Sequence, residues 1–572
     1  MKNIFKSIAY ITVIAMCMAC NKNSGGGEPT PPIPPPNPDP IVVPVPDPTS
    51  RVLYNGVTLP STWPPYNSSS NIYNGMSPSY LTSKPANIDI AMGRQLFVDN
   101  FLIAESTLKR VWHQADYYSS NPVLSPEREW EMSGTKGGGF AAPFSDGVWF
   151  DEVDGKFKMW YMAGGNTYGD GNPVTCYAES NDGINWVRPS LNIVSGTNII
   201  QKGKNRDSNT IWIDKTAKNE SQRYKMFNVY GGAGNWKYHY FTSQDGKAWR
   251  EQKESKAIAD RSTVFHNPFR GVWAFSMRHN VRVDASNLVR GRDYSENPDA
   301  EQGTANAVAD LQKFWFGPWS SSEPVHPSYT GVKPAIYNLD AIGYESVMLG
   351  MFSVWSGPEN DVCAKDNVIK RNQILLGFSR DGWSWYREDF TPFCAVGNNK
   401  TDWNNGNIQS VVGSPIIVGD KLYFYMSGRK LNDKNAEITT TGMATLRRDG
   451  FASMSGSGTL LTEKIKFKGE HFYVNANVKG TLKVEILNVN GTVITGFSKD
   501  DCVAFNGDST KTKITWKNNK NLASLKNQSI KIKFYVEDGD LYSFWISQFE
   551  NGKSFGYTAG GGAGLSKYGI DL

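Results

Sequence analysis

Ser180-Asn181-Asp182-Gly183-Ile184-Asn185-Trp186 recurs as Ser243-Gln244-Asp245-Gly246-Lys247-Ala248-Trp249 and as Ser379-Arg380-Asp381-Gly382-Trp383-Ser384-Trp385. A degenerate copy, Arg447-Arg448-Asp449-Gly450-Phe451, follows. The aspartates stand 63, 136 and 68 residues apart, and the middle gap leaves room for one worn copy near residue 313. Each copy has the chemistry of a tight hairpin: Asp-Gly tolerates positive φ, Ser caps the turn and Trp packs it. A fixed period of this length marks a repeat architecture. Aromatic runs recur in the same phase, at Phe157–Met162, Tyr224–Val229, Val272–Met277, Val347–Phe352 and Leu422–Met426. One run and one turn per unit suit the four short strands of a propeller blade, so five blades are expected. The plainer alternative is a generic all-β protein with coincidental Asp-Gly turns.

The chain has 572 residues, enough for two or three domains. Aromatics make up 13% of it, a load that suits β structure and sugar handling, and the net charge of +5 is small. No Lys/Arg block is long enough for a nucleic-acid surface. Lys2 and Lys6 precede an apolar run, Ile8 to Ala19, too short to span a bilayer, which ends in Cys17-Met18-Ala19-Cys20. A small residue directly before Cys20 resembles the bacterial lipoprotein signal, with Cys17 where Leu is usual. That resemblance implies lipidation at Cys20 and export to the outer membrane; an ordinary secretory signal is the alternative. Residues 21 to 50 hold Gly25-Gly26-Gly27 and a dense proline run, which predicts an extended tether.

Residues 51 to 90, rich in Tyr, Pro and Ser, are expected to wrap over the surface, and 91 to 455 to form the propeller. Gln95 to Ile103 is the candidate strand from the N-terminal side that completes the last blade. After Phe451 short alternating strands take over, with Asn490-Gly491 as a hairpin signal, and predict a β-sandwich over 456 to 572. Gly560-Gly561-Gly562 reads as a loop or a disordered tail. Cys176, Cys363, Cys394 and Cys502 are widely spaced and expected as buried thiols, although Cys363 and Cys394 are the nearest pair for a disulfide. Neither they nor the six histidines show metal-ligand spacing. No cofactor is expected, nothing indicates a structural calcium, and a monomer is expected.

A propeller gathers polar side chains from distant parts of the sequence at one mouth of its channel. The polar stretches before the five runs are therefore the candidates: Ala142–Phe150, Asn205–Trp212, His266–Arg270, Tyr337–Ser346 and Asp402–Ser410. Four of the five carry a carboxylate. The chain resembles the five-bladed propeller glycoside hydrolases, the group that includes families 32, 43 and 68, of which family 32 also carries a C-terminal β-sandwich. Arg206-Asp207-Ser208 is similar to their Arg-Asp-Pro motif, with Ser in place of Pro. Asp146-Gly147-Val148 stands where their first Asp is expected, without the surrounding Asn-Asp-Pro-Asn-Gly, and their Glu-Cys signature is absent. The resemblance implies glycoside cleavage, with a furanoside or fructan substrate.

Cleavage needs two carboxyl groups across the scissile bond, one of them sheltered and protonated. Glu345 is the expected acid, flanked by Tyr344 and followed by Val347-Met348-Leu349. Asp207 is the expected ionised partner; Asp146 and Asp340 are further catalytic candidates. Arg206, Arg278, Glu296 and Gln409 are candidate hydrogen-bonding partners of sugar hydroxyls, and Trp149, Trp212 and Trp403 candidate stacking platforms, with blade packing as the alternative for each Trp. Glu179 lies against a structural hairpin. A non-catalytic surface glycan-binding lipoprotein would use the same scaffold. A sialidase-like enzyme is suggested more weakly by the Ser-x-Asp-Gly-x-x-Trp repeat, and a lyase on this fold is a further alternative.

Overall fold

The computed structural model describes residues 46–572, apart from 70, 71, 74, 134–136, 165–170, 233, 284–287, 309–312 and 320–321. Cys20 and most of the proline-rich tether lie outside the described residues. The chain is nearly all β.

Between residues 138 and 447 it lays down five antiparallel sheets in sequence order. The first holds Gly138–Asp151, Lys156–Ala163, Val174–Ser180 and Ile199–Gln201; the second Arg206–Ile213, Tyr224–Tyr230, Lys237–Ser243 and Arg250–Glu254. The third holds Thr263–Asn267, Val272–Arg282, Leu288–Asn297 and Lys313–Phe316, so a strand occupies the place of the expected worn turn. The fourth holds Ala335–Glu345, Val347–Gly357 and Arg371–Ser379, and the fifth Asn407–Ser410, Lys421–Leu431 and Glu437–Arg447. First strands touch in cyclic order, each the next, and Asn407–Ser410 returns to Gly138–Asp151. The first and fifth sheets also join edge to edge, Ile438 and Thr439 pairing in parallel with Gly139 and Phe140.

The five aromatic runs are the second strands. They lie between neighbouring sheets and are buried on both faces, which makes them read as continuous apolar runs; Val347–Gly357 is buried at every position. The Asp-Gly turns staple one sheet to the next. In the first, the Asp182 carboxylate accepts the N–H groups of Ile184 and Asn185, both at 2.8 Å. The Tyr425 hydroxyl donates to the Gly183 carbonyl at 2.7 Å, Trp160 to that of Gly246 at 2.7 Å, and Trp315 to that of Trp383 at 2.8 Å. Each donor comes from the preceding sheet in the ring. The degenerate turn is used otherwise: Asp449 accepts Arg94 and the Tyr344 hydroxyl, at 3.0 and 2.6 Å.

A strand from the N-terminal side does complete the fifth sheet, but it is Asp116–Tyr117, paired with Ala444 and Thr445. The expected closing segment, Gln95 to Ile103, belongs elsewhere: Gln95 and Leu96 pair with Phe544 and Ser543. They join a nine-stranded sheet built on His471–Asn488 and Ile530–Ser547, whose core combines Leu53, Tyr80, Phe97 and Phe101 with Leu460, Phe472, Trp516 and Phe544. The N-terminal residues thus fill the core of the C-terminal body because its own strands leave an apolar face uncovered. In place of two separate sheets there is one, bent where the registers shift between Val478 and Leu482. Residues 560–562, expected as a loose tail, are buried. Phe150 donates its N–H to the Gly560 carbonyl at 2.8 Å, and Ile417 donates to that of Gly561 at 2.8 Å. A Cβ on Gly560 would lie 1.7 Å from the Gly413 carbonyl oxygen, so only glycine fits.

Candidate functional site

The two ends of the ring have different chemistry. The C-terminal ends of the first strands meet the tail; at the other end is a mouth where Arg261, just before its own strand, contacts Phe144, Asp207, Tyr337 and Gln409, one from each of the other four sheets. The first strand arrives there strained. Its register shifts between Ala142 and Gly147, and Phe144 and Ser145 hold φ of 50° and 80°. A bulky residue in that region persists only where its surroundings impose it, and the bulge turns Ser145 and Asp146 into the channel.

Asp146 is fully buried and gripped by Arg206 through both oxygens, at 2.9 and 2.5 Å. Burial pushes its carboxyl above the usual value, with Arg206 pulling the other way. Deeper in the channel, Oδ2 of Asp340 accepts the hydroxyls of Ser410 (2.6 Å) and Ser145 (3.2 Å) and the Asn338 amide (2.8 Å). Its Oδ1 has no partner among the described residues, and burial raises this carboxyl too, against Arg261. Asp207 is half-buried and accepts the backbone N–H of Arg261 at 2.7 Å. The Arg261 guanidinium donates to Gln409 Oε1 at 2.8 Å and to the Phe144 carbonyl at 3.0 Å, lying 3.9 Å from the Phe144 ring centre. Arg278 pairs with Asp260, and burial together with Arg290 brings its guanidinium down to about 10.

Tyr337 stands among cations. Arg290, Lys370 and Arg261 lie 5.0, 5.2 and 5.6 Å from its ring centre. Burial opposes ionisation, but Lys370, Arg290 and Arg261 outweigh it and bring the phenol down to about 8. Fully buried Arg292 donates to the Arg261 carbonyl at 3.0 Å and supports the cluster from beneath.

The structure therefore brings Asp146, Arg206, Asp207, Arg278, Asp340 and Gln409 together. It separates the others. Glu345 ends the strand on which Asn338 sits, seven residues on, roughly 23 Å away at about 3.3 Å per residue. There it accepts Arg448 at 3.1 Å, the Ser554 hydroxyl at 2.7 Å and the Arg94 N–H at 3.1 Å, tying the ring to the C-terminal body. Glu296 pairs with Arg270 and accepts Trp63 at 3.0 Å, an anchor for the N-terminal segment. Trp149 and Trp212 staple first strands by donating to the Ile211 and Val264 carbonyls, at 2.8 and 3.1 Å. Trp403 lies against Gly428 and Gly442, where a Cβ would come within 2.0 Å of its ring. Glu179 pairs with Lys156 at 2.5 Å.

Arg261, Arg290, Arg292 and Lys370 escaped the sequence reading, and Tyr337 entered it only as the first residue of a candidate stretch; the one available signal was Arg290-Gly291-Arg292, which places two cations on one face of a strand. Among the described residues, no group of three or more His, Cys, Asp and Glu side chains is placed to hold a metal ion. Cys176, Cys394 and Cys502 are buried free thiols, and Cys363 is half-exposed and free.

No family model matches the sequence, and no curated protein matches it. Solved structures do, at low identity. An N-acetylgalactosamine deacetylase from F. plautii, in complex with blood group B trisaccharide, is 13% identical over 59% of this chain and 96% of its own, with a TM-score of 0.39. A β-1,2-mannobiose phosphorylase from Listeria innocua is 12% identical over 58% and 96%, with a TM-score of 0.38. An exo-β-1,3-galactanase from Phanerochaete chrysosporium is 11% identical over 74% and 99%, with a TM-score of 0.31. These are glycan-acting proteins; at such scores the likeness says nothing about the chemistry at this mouth.

Proposed function

We propose that this protein acts on glycans at the mouth, as a glycosidase-type enzyme. On this reading the cyclic array of five sheets is a five-bladed propeller, and the bent nine-stranded sheet folds over itself as a β-sandwich. One observation carries it: strands from separate parts of the chain bring Asp146, Asp340 and Tyr337 into the channel, where burial raises both carboxyls and neighbouring cations lower the phenol. Such displacement, concentrated in a concave site, is expected of acid–base chemistry. Asp207 is the carboxylate that reaches the opening and the one that supports positive charge developing at the anomeric carbon. As the glycosidic C–O bond breaks, Tyr337, within the field of Asp207, gives its proton to the departing oxygen and regains one from the water that bonds to the anomeric carbon; a group near 8 gives and takes one readily at neutral pH. Asp146 and Asp340 lie beneath and position Arg206 and Ser145. Export on a lipid attached to Cys20 would bring this mouth to large glycans outside the cytoplasm.

A panel of oligosaccharides and aryl glycosides tests the reading. Asp207→Asn and Tyr337→Phe should each lower turnover by about a hundredfold or more with unchanged unfolding curves. Full activity in both variants, or no glycan bound or cleaved by the wild-type protein, would refute it. Non-catalytic glycan binding is the second reading, favoured by the burial of Asp146 and Asp340, which leaves Asp207 alone of the predicted aspartates at the opening. Tight binding without cleavage would select it.

A further inference from the structure

Beside Asp207 the mouth opens into a small recess of about 20 Å³ lined by Arg290, Tyr337, Trp355, Glu359, Asn360 and Lys370. Its walls are aromatic and its charges are unbalanced. Arg278 is matched by Asp260, and Arg429 by Glu437 at 3.1 Å. Arg261, Arg290 and Lys370 have no carboxylate within 4 Å among the described residues. Arg261 is only 1% exposed, and its Nε has no hydrogen-bond partner. Glu359 lines the recess and Asp207 stands next to it, so the cations outnumber the acids that face them.

Of the three, only Arg261 is kept out of water; Arg290 and Lys370 are half-buried, and an anion entering between them would offset the cost of the unmatched charge. Arg and Lys side chains hold carboxylate and sulfate groups through charge-assisted hydrogen bonds, strong in a sheltered site. From these observations we infer that the recess is a subsite for the carboxylate or sulfate ester of an anionic sugar, held by Arg290 and Lys370, with the charge of Arg261 close by across the Tyr337 ring. This rests on the glycan-acting reading and specifies its substrate class.

The test measures binding to the whole mature protein by calorimetry, in three arms. One uses oligogalacturonides, the second the same oligosaccharides with their carboxyl groups reduced to alcohols, and the third sulfated galactan oligosaccharides. At least one anionic arm should bind about tenfold or more tighter than the reduced arm, and the affinity should fall as salt rises. The arm that binds names the anionic group. The double variant Arg290→Gln, Lys370→Gln should lose that preference while its unfolding curve and any binding of neutral oligosaccharides stay as in the wild type. Equal or tighter binding of the reduced arm, or an unchanged preference in the double variant, overturns the inference and leaves the glycan-acting reading standing. Absence of binding in every arm and to neutral glycans overturns both.

Discussion

Glu345→Gln separates structure from catalysis. The side chain is fully buried, and its carboxylate accepts from three donors, the Arg448 guanidinium at 3.1 Å, the Ser554 hydroxyl at 2.7 Å and the Arg94 backbone N–H at 3.1 Å, with the Arg94 guanidinium 3.5 Å away as an ion pair. Glutamine keeps the shape but presents an NH₂ group to at least one of these donors, and it removes the charge between two guanidiniums. Arg94 retains Asp449 at 3.0 Å, and Arg448 retains Asp571 at 3.8 Å, so neither is stranded. Removing one partner of a buried pair costs about 3–5 kcal/mol, and the surviving contacts place this case near the lower limit, about 3 kcal/mol. Chemical unfolding followed by tryptophan fluorescence measures it, with glycan turnover assayed on the same preparation at a temperature where the variant is folded. Loss of stability with normal turnover is expected. Unaltered stability with turnover reduced a hundredfold or more would show that Glu345 reaches substrate and that the mouth is misplaced.

Two further outcomes follow from particular contacts. The Tyr337 phenolate should appear in ultraviolet difference spectra with a midpoint near 8, absent in Tyr337→Phe; because its folded value lies below the ordinary tyrosine value of 10.0, it adds stability above pH 10 that is lost as pH falls through about 8, and turnover should fall as pH rises through that midpoint. A midpoint at the usual tyrosine value would remove the cations from its surroundings. Gly246→Ala should destabilise the ring by about 2 kcal/mol or more, since φ is +73° and the new Cβ would sit 2.6 Å from the Trp160 ring; an unchanged unfolding midpoint would mean that the turn does not hold the sheets together.

The turns and the aromatic runs were legible because both answer to local rules: positive φ at Gly183, Gly246 and Gly382, and double-sided burial of the second strands. The first strands were not. They line a polar channel and so carry polar residues, Arg206-Asp207-Ser208-Asn209 and Asn407-Ile408-Gln409-Ser410, which read as loops beside the apolar runs. In the third sheet this moved the window to His266–Arg270, at the tail end, and passed over Arg261 and Ser262. In the fourth, the window Tyr337–Ser346 was nearly a whole strand, so its two ends were read as one place. The apolar neighbours of Glu345 did signal burial, but burial against Arg94, Arg448 and Ser554 serves an interface as well as it would serve an acid. The misassigned closing strand has a similar origin: the apolar pattern of Gln95 to Ile103 specifies a core, and which body supplies that core is settled only by long-range packing.

The two ends of the ring are therefore not interchangeable. At the tail end, the chain from Tyr557 to Gly562 crosses the first strands, paired with Tyr344 and Glu345 and hydrogen-bonded to Phe150 and Ile417. Midway, Asp340 is hydrogen-bonded to Ser145, Asn338 and Ser410, joining three segments from three sheets across the channel. Charge follows the same division. The buried acids Glu345, Asp449 and Asp571 share Arg94 and Arg448 at the tail end, where opposite charges are matched, whereas Arg261, Arg290 and Lys370 surround a phenol at the mouth with fewer acids to meet them. Matched buried charge is what a fixed interface between two bodies requires; unmatched charge is what a site awaiting an ionic ligand retains, and the mouth is where this molecule keeps it.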